Sequence, residues 1–540
     1  MPSTSASAGG SGSNDEHGRG RAQPRAPTRS RRRRGHGVGF AANGMGLYTK
    51  ITRDWLEQRF AKRTPAGVYF AHMPVYGLGH PDAEGGHLRR YARILRVLQQ
   101  LDGLRFCSLL DVGGAEGYVA HAAARILGCE AASVDLSLEA SLRARELFGL
   151  PSAAVDCWRL PFADGSFDVV LCSEVIEHVE HPVETLLELQ RVARVAVVLT
   201  TEELHYDRGH IDAYLWKRPG WPHMERNLFH PDDLRACLPT ATLRPQCDRE
   251  PEASALPRAE TVAWILANTR ADDLRPGRIG VTALIPGPEF AAQPRRHADG
   301  DLLERLLDVT VAPGARAAPP TAAAEARFRA RLRDPITRQP LREDADALAG
   351  SRRYALRDGV PDFVDVDAAG PARAALAARV RDLPHGEALL ALRDKLFLFD
   401  RVAGDALDLT QRAAQQGFWP NDQLQPRGEG FAWRATGDDP WLVTPCLQRR
   451  LRAVHVDLRV HAPGLPIDAL TGQVFWKGPA DETFTEPASV KFRLRNDGAR
   501  RTYRVDLAAN PALPAEVQWL RLDLADAPCE IDLYGLRFEA

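Results

Sequence analysis

The stretch Leu109-Leu110-Asp111-Val112-Gly113-Gly114-Ala115-Glu116-Gly117-Tyr118 decides the fold. An apolar strand runs into a glycine-rich turn, and a helical pattern opens at once behind it, from Tyr118 to Leu127. Glycines let a backbone approach a ligand closely, and a helix N-terminus presents N–H groups that have no partner inside the helix. The G-x-G-x-x-G spacing that cradles a pyrophosphate is missing, because Ala115 stands where that fingerprint has its second Gly.

Outward from this turn, helix and strand patterns alternate over residues 47–284. Leu88, Tyr91, Leu95, Leu98 and Leu101 recur at helical spacing. Short β-rich runs follow at Ser108–Val112, Ala131–Val134, Ala153–Val155, Phe167–Cys172 and Val195–Thr200. Such alternation predicts a parallel sheet covered on both faces. Asp135 ends the second strand, 18 residues beyond Gly117, where a carboxylate can accept both hydroxyls of a ribose. Asp156 ends the third strand, where a side chain can meet an adenine edge. Leu160-Pro161-Phe162 leads into the fourth strand, and Ser173-Glu174-Val175-Ile176-Glu177-His178-Val179 follows it.

This ordered set resembles the class I S-adenosylmethionine-dependent methyltransferases, and most of all the ubiquinone/menaquinone-biosynthesis type. The family's D-x-G-x-G-x-G motif matches at Asp111, Gly113 and Gly117, with Ala115 replacing the middle Gly. The resemblance implies a Rossmann-like α/β domain with a mostly parallel seven-stranded sheet, and S-adenosyl-L-methionine as cofactor. It assigns cofactor contacts to Asp111, Gly113, Gly114, Ala115, Gly117, Asp135, Leu136, Asp156, Cys157, Trp158 and Ser173. Glu174, Glu177 and His178 fall beside the expected methyl position. An oxygen nucleophile benefits from a base, so Glu174 and His178 are the candidate catalytic residues. A packing histidine and a cofactor-contacting glutamate are the competing readings. The asparagine-proline motif of amino-group methylators is absent after the fourth strand, which favours an oxygen or carboxyl acceptor.

The chain has 540 residues and a net charge of −1, so it is multidomain and carries no global field for nucleic acid. Residues 1–46 hold eight Arg against Asp15 and Glu16, with little to bury, and are expected to be a disordered basic arm. No apolar run approaches a membrane span, and the basic N-terminal stretch lacks the apolar run of a secretory signal, so none is expected there. The eight Cys include no CxxC pair, so reduced thiols and a cytoplasmic setting are expected, with no metal site. After the fifth strand, residues 200–230 carry His205, Asp207, His210, Tyr214, Trp216, Trp221, His223 and His230, a set that suits a polar acceptor or a packed lid. His205, Asp207 and His210 lack tight ligand spacing for a metal.

Residues 285–330, rich in Ala, Pro and Arg, read as a linker with one short helix near Leu302–Leu307. The island at 331–366 contains Asp334-Pro335-Ile336-Thr337-Arg338-Gln339-Pro340-Leu341 and Tyr354-Ala355-Leu356-Arg357-Asp358-Gly359-Val360-Pro361-Asp362-Phe363. It is similar to small zinc-ribbon-like domains that accompany methyltransferases. Asp334 and Thr337 stand at the first cysteine positions and the later pair is also missing, so a β module without zinc is expected. Residues 371–416 read as a helical connector. From 417 to 540, eight β-like runs separated by turns predict an antiparallel sandwich, similar in texture to galactose-binding-like jelly rolls. Among its tryptophans, Trp476 is the candidate for an exposed, sugar-stacking ring, against core packing as the alternative.

These readings converge on a methyltransferase acting on an oxygen acceptor, with a glycan or polysaccharide precursor as the acceptor class. Two alternatives stand beside it: a glycan-binding scaffold with a vestigial methyltransferase fold, and an RNA methyltransferase using the basic arm.

Overall fold

The computed structural model describes residues 47–84, 87–208, 211, 227–246, 257–269, 278–365, 373–396, 406–410, 412–415, 418–428, 430–478, 481 and 483–540. The basic arm at 1–46 lies outside them, as do His210, Tyr214, Trp216, Trp221 and His223 of the loop after the fifth strand.

Two helices, α1 (Leu47–Ala61) and α2 (His87–Asp102), precede the sheet. The sheet is then built from β1 (Ser108–Val112), α3 (Tyr118–Leu127), β2 (Glu130–Asp135), α4 (Leu138–Phe148), β3 (Ser152–Ala154), β4 (Phe167–Ser173), α5 (Pro182–Val192) and β5 (Ala193–His205). It closes with α6 (Pro231–Cys237), β6 (Thr242–Gln246), α7 (Arg258–Asn268) and β7 (Arg278–Pro286). The seven strands lie in the order β3-β2-β1-β4-β5-β7-β6. The first five pair in parallel, and β7 runs antiparallel to both β5 and β6. All of β1 is buried, as a central strand covered on both faces must be. Leu110, Val112 and Val170 point into one core with α5, while Leu109, Val169 and Leu171 point into the other with α2 and α3. The periodic face of α2 is fully used: Leu88, Tyr91, Leu95, Leu98 and Leu101 are all buried.

Residues 285–330 differ from the expected linker. Helix α8 (Asp299–Leu307) buries Leu302, Leu303 and Leu306 in the core beneath α2. Helix α9 (Ala322–Arg331) buries Phe328, whose ring meets that of Phe162. The short helix expected near Leu302–Leu307 is present; what the Ala, Pro and Arg content did not show is the second helix and that both pack into the core.

The island folds as a four-stranded antiparallel sheet, β11-β10-β9-β8, from β8 (Arg342–Asp344), β9 (Ala347–Ala349), β10 (Arg353–Arg357) and β11 (Val360–Pro361). It docks on the open edge of the main sheet, where the Phe363 N–H donates to the Ala154 carbonyl at 2.9 Å. Asp334, fully buried, ties its loops together. Its carboxylate accepts from the Ile336 and Thr337 N–H groups at 2.8 Å each, from Ser351 Oγ at 2.7 Å and from the Ser351 N–H. Helices α10 (Arg373–Val380) and α11 (Gly386–Leu396) follow and add Leu376, Val380, Leu389 and Leu392 to the core around α5.

The C-terminal strands are β12 (Ala406–Asp408), β13 (Trp419–Pro420), β14 (Leu424–Pro426), β15 (Ala432–Ala435), β16 (Trp441–Arg449) and β17 (Ala453–His461). They continue with β18 (Thr471–Lys477), β19 (Ser489–Arg493), β20 (Arg501–Asp506), β21 (Val517–Asp523) and β22 (Cys529–Glu539). One antiparallel sheet runs β14-β15-β22-β17-β20, with β12 also on β22, and the other runs β13-β16-β21-β18-β19. Both feed a single core that includes Trp433, Val456, Leu520 and Phe538. Trp476 belongs to that core too. It is 1% exposed and its indole N–H donates to the Ala512 carbonyl at 3.2 Å, so it is not the exposed ring expected from the sequence.

Candidate active site

Strand β1 pairs with β2 on one side and β4 on the other, so chain connections leave it in opposite directions and open a crevice at its carboxyl end. A cavity of about 310 Å³ occupies this crevice. The turn after β1 forms its floor. Gly113 sits at φ 75°, and a Cβ there would stand 2.4 Å from Val175 Cγ2. A Cβ on Gly114 would stand 2.3 Å from Ser133 Oγ, so neither position tolerates a side chain without movement. Gly117, at φ 82°, is the N-cap of α3.

Three carboxylates reach the cavity from the ends of successive strands. Asp111 Oδ2 meets no hydrogen-bond partner among the described residues. Burial, with the nearby charge of Asp135, pushes its carboxyl up to about 7. Asp135 accepts from the Ala115 N–H and the Ser137 N–H, each at 2.9 Å, and burial pushes it up to about 6. Asp156 accepts from the Trp158 indole at 2.8 Å and is also raised by burial to about 6. A ligand that donates hydrogen bonds or carries positive charge would offset this desolvation. An amino acid ammonium, ribose hydroxyls and an exocyclic amine are such groups, so the donor set fits S-adenosyl-L-methionine.

The backbone is strained at two non-glycine positions of the cavity wall, Ala115 at φ 51° and Glu174 at φ 55°. Glu174 follows β4 directly, its N–H donates to the Thr200 carbonyl at 3.0 Å, and its carboxylate lies 3.5 Å from Arg93. Ser173 Oγ is 2.8 Å from Thr200 Oγ1. His178 stands one turn further on, its N–H donating to the Val175 carbonyl at 2.9 Å. Asn227, 1% exposed, clamps this segment: its side-chain amide donates to the Ile176 and Val179 carbonyls at 2.8 Å, and its N–H to the Glu177 carbonyl at 2.9 Å.

Of the residues expected at the site, Asp111, Gly113, Gly114, Ala115, Asp135, Leu136, Asp156, Cys157, Ser173, Glu174 and His178 all line the cavity. Gly117 and Trp158 do not. Gly117 shapes the helix start from behind, and Trp158 fixes Asp156 while its ring packs on His181 at 4.9 Å. In the loop after β5, none of His205, Asp207 and His230 reaches the cavity. His205 Nδ1 accepts from the Asp207 N–H at 3.0 Å, and His230 caps α6 by accepting from the Asp232 N–H at 3.1 Å. Among the described residues, no three His, Cys, Asp or Glu side chains are grouped to hold a metal ion.

The opposite wall comes from α1 and α2. Thr49, Thr52, Leu56, Arg59 and Phe60 present one helical face, joined by Arg89, Arg90 and Arg93. Glu84 takes Arg59, Arg90 at 3.0 Å and His72 at 3.0 Å; against burial, these partners hold its carboxyl down to about 2. Helix α1 is itself stitched to the turn after β2. Glu57 accepts from Ser137 Oγ at 3.0 Å and from the Leu138 and Glu139 N–H groups at 2.7 and 2.8 Å, a carboxylate on the N-terminus of α4.

Residues 110–199 match the family model described as a methyltransferase domain. No curated protein matches the chain in sequence. Among solved structures, the geranyl diphosphate C-methyltransferase of Streptomyces coelicolor A3(2), in complex with Mg2+, geranyl diphosphate and S-adenosyl-L-homocysteine, is 16% identical, over 44% of this chain and 97% of that one, at a TM-score of 0.29. The YcgJ protein of Bacillus subtilis is 16% identical, over 36% of this chain and 97% of that one, at a TM-score of 0.26. Likenesses this distant leave the chemistry to be read from the residues. The domain match falls on the strand, turn and helix that floor the cavity, so this part of the chain is a methyltransferase domain, and the donor set that lines the cavity fits S-adenosyl-L-methionine as its cofactor.

Proposed function

We propose that the chain methylates an oxygen acceptor, and that the acceptor is a glycan or polysaccharide precursor met in the cytoplasm. The observation that carries this reading is one cavity shared by the three strand-end carboxylates and by Glu174 and His178. When bound, S-adenosyl-L-methionine supplies an electrophilic methyl group. Asp111 holds an ammonium, Asp135 a ribose diol and Asp156 an adenine edge, while Gly113, Gly114 and Ala115 bring backbone close, and Leu136, Cys157 and Ser173 complete the wall. His178 would take up the proton that the acceptor hydroxyl gives up. Glu174 orients that hydroxyl or the cofactor's charged end, with Arg93 holding the carboxylate in place. In-line geometry of this kind supplies much of the acceleration in a displacement.

In the same reading, residues 47–284 are the catalytic domain, resembling the ubiquinone/menaquinone-biosynthesis type. The module at 331–366 is a degenerate zinc-ribbon-like element whose Asp334 hydrogen bonds support its loops. The sandwich from 417 onward, with the texture of a galactose-binding-like domain, guides the acceptor. Among the described residues no helix is long and apolar enough to cross a membrane. The test is incubation of the purified chain with methyl-labelled cofactor and fractionated cell glycans, lipids and RNA. Label in the glycan fraction, lost in His178→Ala, is the expected result. Label in RNA, or none in any fraction, would overturn the acceptor assignment.

A further inference from the structure

The outer face of the β13-β16-β21-β18-β19 sheet is built unlike a solvated sheet face. Across β16, β21, β18 and β19, Trp441, Asp523, Gln473 and Lys491 stand in one row. Val443, Arg521, Phe475 and Ser489 form the next. The residues between the rows, Leu442, Leu522 and Val474, point the other way into the core. An outward row normally meets water. Here Gln473 is only 8% exposed, Asp523 9% and Phe475 4%. They lie in a cavity of about 440 Å³, whose walls also include Asp438 and Asp439 from one loop and Phe484 and Glu486 from another.

The polar groups in this cleft are held in fixed positions. The Arg521 guanidinium makes a two-point pair with Asp523, at 2.7 and 2.8 Å, also bonds Asp439, and lies over the rings of Phe475 at 4.8 Å and Trp441 at 5.3 Å. The Gln473 side-chain amide donates to Glu486 Oε2 at 3.0 Å and Ser489 Oγ at 2.7 Å. Asp526 accepts from the Thr471 N–H at 2.9 Å. Burial raises the Asp523 carboxyl to about 6, as for a group kept from water.

We propose that this cleft binds a neutral saccharide. Carbohydrate hydroxyls donate and accept at once, so they match a cavity lined by carboxylates and an amide oxygen that accept and by a guanidinium that donates. Phe484, part-exposed at the wall, offers an apolar surface to the C–H face of a sugar ring. The carboxylates Asp438, Asp439, Glu486, Asp523 and Asp526 outnumber the cations Lys491 and Arg521, which disfavours a phosphate, sulfate or uronate. The same surplus makes a cation the rival ligand; Arg521 pairs with Asp439 and Asp523 and so offsets part of it, and pentalysine is the probe that scores this rival.

The ligand class rests on the reading of the sandwich as a guide for a glycan acceptor, and the test separates the two. The full chain is titrated with a panel of neutral oligosaccharides, with a sulfated oligosaccharide and pentalysine as charged probes. Asp523→Asn and Gln473→Ala should each weaken neutral-saccharide binding by about tenfold or more. Phe484→Ala, at a part-exposed wall position that leaves the core intact, should weaken it as well. All three should leave S-adenosylhomocysteine binding unchanged. No binding across the neutral panel, binding of pentalysine alone, or undiminished binding in all three variants would overturn the cleft. Methyl transfer to the same saccharides is scored separately. A saccharide that binds through the cleft and takes no methyl group supports the cleft and counts against the acceptor reading; methylation with unchanged KM in the variants does the reverse.

Discussion

Arg53 on α1 and Asp362 at the end of the small β module meet at 2.6 Å across 309 residues of sequence. Arg53 also bonds Glu57 at 3.3 Å, and Glu57 holds the start of α4, two residues past Asp135. On its other side, Asp362 adjoins Phe363, which pairs with Ala154 just before Asp156. One line of contacts therefore joins the accessory module, the helix over the cavity and two of the three acids that line it.

The first prediction follows from that line. Asp362→Asn should loosen α1 and weaken S-adenosylhomocysteine binding by about three- to tenfold, although Asp362 does not line the cavity. The pair is partly exposed, 15% for Arg53 and 24% for Asp362, so the coupling in a double-mutant cycle with Arg53→Gln should be about 1 kcal/mol. Calorimetric titration of the four proteins measures it. Additive losses would mean that the two side chains act separately.

A second prediction concerns pH. Asp135 and Asp156 are raised to about 6 by burial, so both are largely protonated at pH 5 and ionised at pH 7. A protonated carboxyl gives up part of its capacity to accept from two hydroxyls. Cofactor binding favours the ionised forms and so takes up fewer protons than the free protein holds. Affinity for S-adenosylhomocysteine should rise from pH 5 to pH 7, with protons released on binding near pH 6. In Asp135→Asn the slope should flatten. An affinity independent of pH across this window would show that neither acid contacts the ligand.

Local grammar made the catalytic half legible. Asp111 through Tyr118 contains its strand, turn and helix start within a few residues, and Asp135 and Asp156 follow as the ends of the next two strands. The arginine wall was illegible because Arg59 and Arg89–Arg93 belong to separate helices that meet only in the fold. Strand β6 escaped notice because it is an edge strand, and Arg244 and Pro245 are tolerated there but not in a central one. Trp476 was misplaced although period-two alternation contained the answer: Val474 and Trp476 share the inward face, and Gln473 and Phe475 the outward one.

The third prediction tests the carboxylate at the centre of the small module. Burial alone would raise Asp334, but donors from Thr337, Ser351 and Ile336 hold it down to about 2. An acid depressed in the folded state contributes stability that is fully present above its unfolded value, near 4, and is lost as pH falls towards 2. Asp334→Asn turns one acceptor into a donor facing the Ser351 hydroxyl and N–H, and should cost about 2–3 kcal/mol at pH 7. Denaturant unfolding at pH 7 and pH 3 should show the gap between wild type and variant narrowing at the lower pH. A constant gap would assign the cost to packing.

The last prediction sets the two strained residues against each other. Ala115 and Glu174 both hold left-handed backbone conformations, which cost a residue with a Cβ about 1–2 kcal/mol. Glycine removes that cost and returns part of it as extra freedom in the unfolded chain, so the net gain at either site should be about 0.5–1 kcal/mol. Ala115→Gly should therefore raise the melting temperature and keep cofactor affinity, since only a methyl group leaves the cavity wall. Glu174→Gly should gain stability as well, less whatever the Arg93 contact contributes, while methyl transfer falls. Glu174→Gln separates the two effects, because it keeps the strained backbone and removes the charge. It should lose activity without gaining stability. If Glu174→Gln retains full activity, the strain at Glu174 serves the shape of the loop after β4, and the proton chemistry rests on His178 alone.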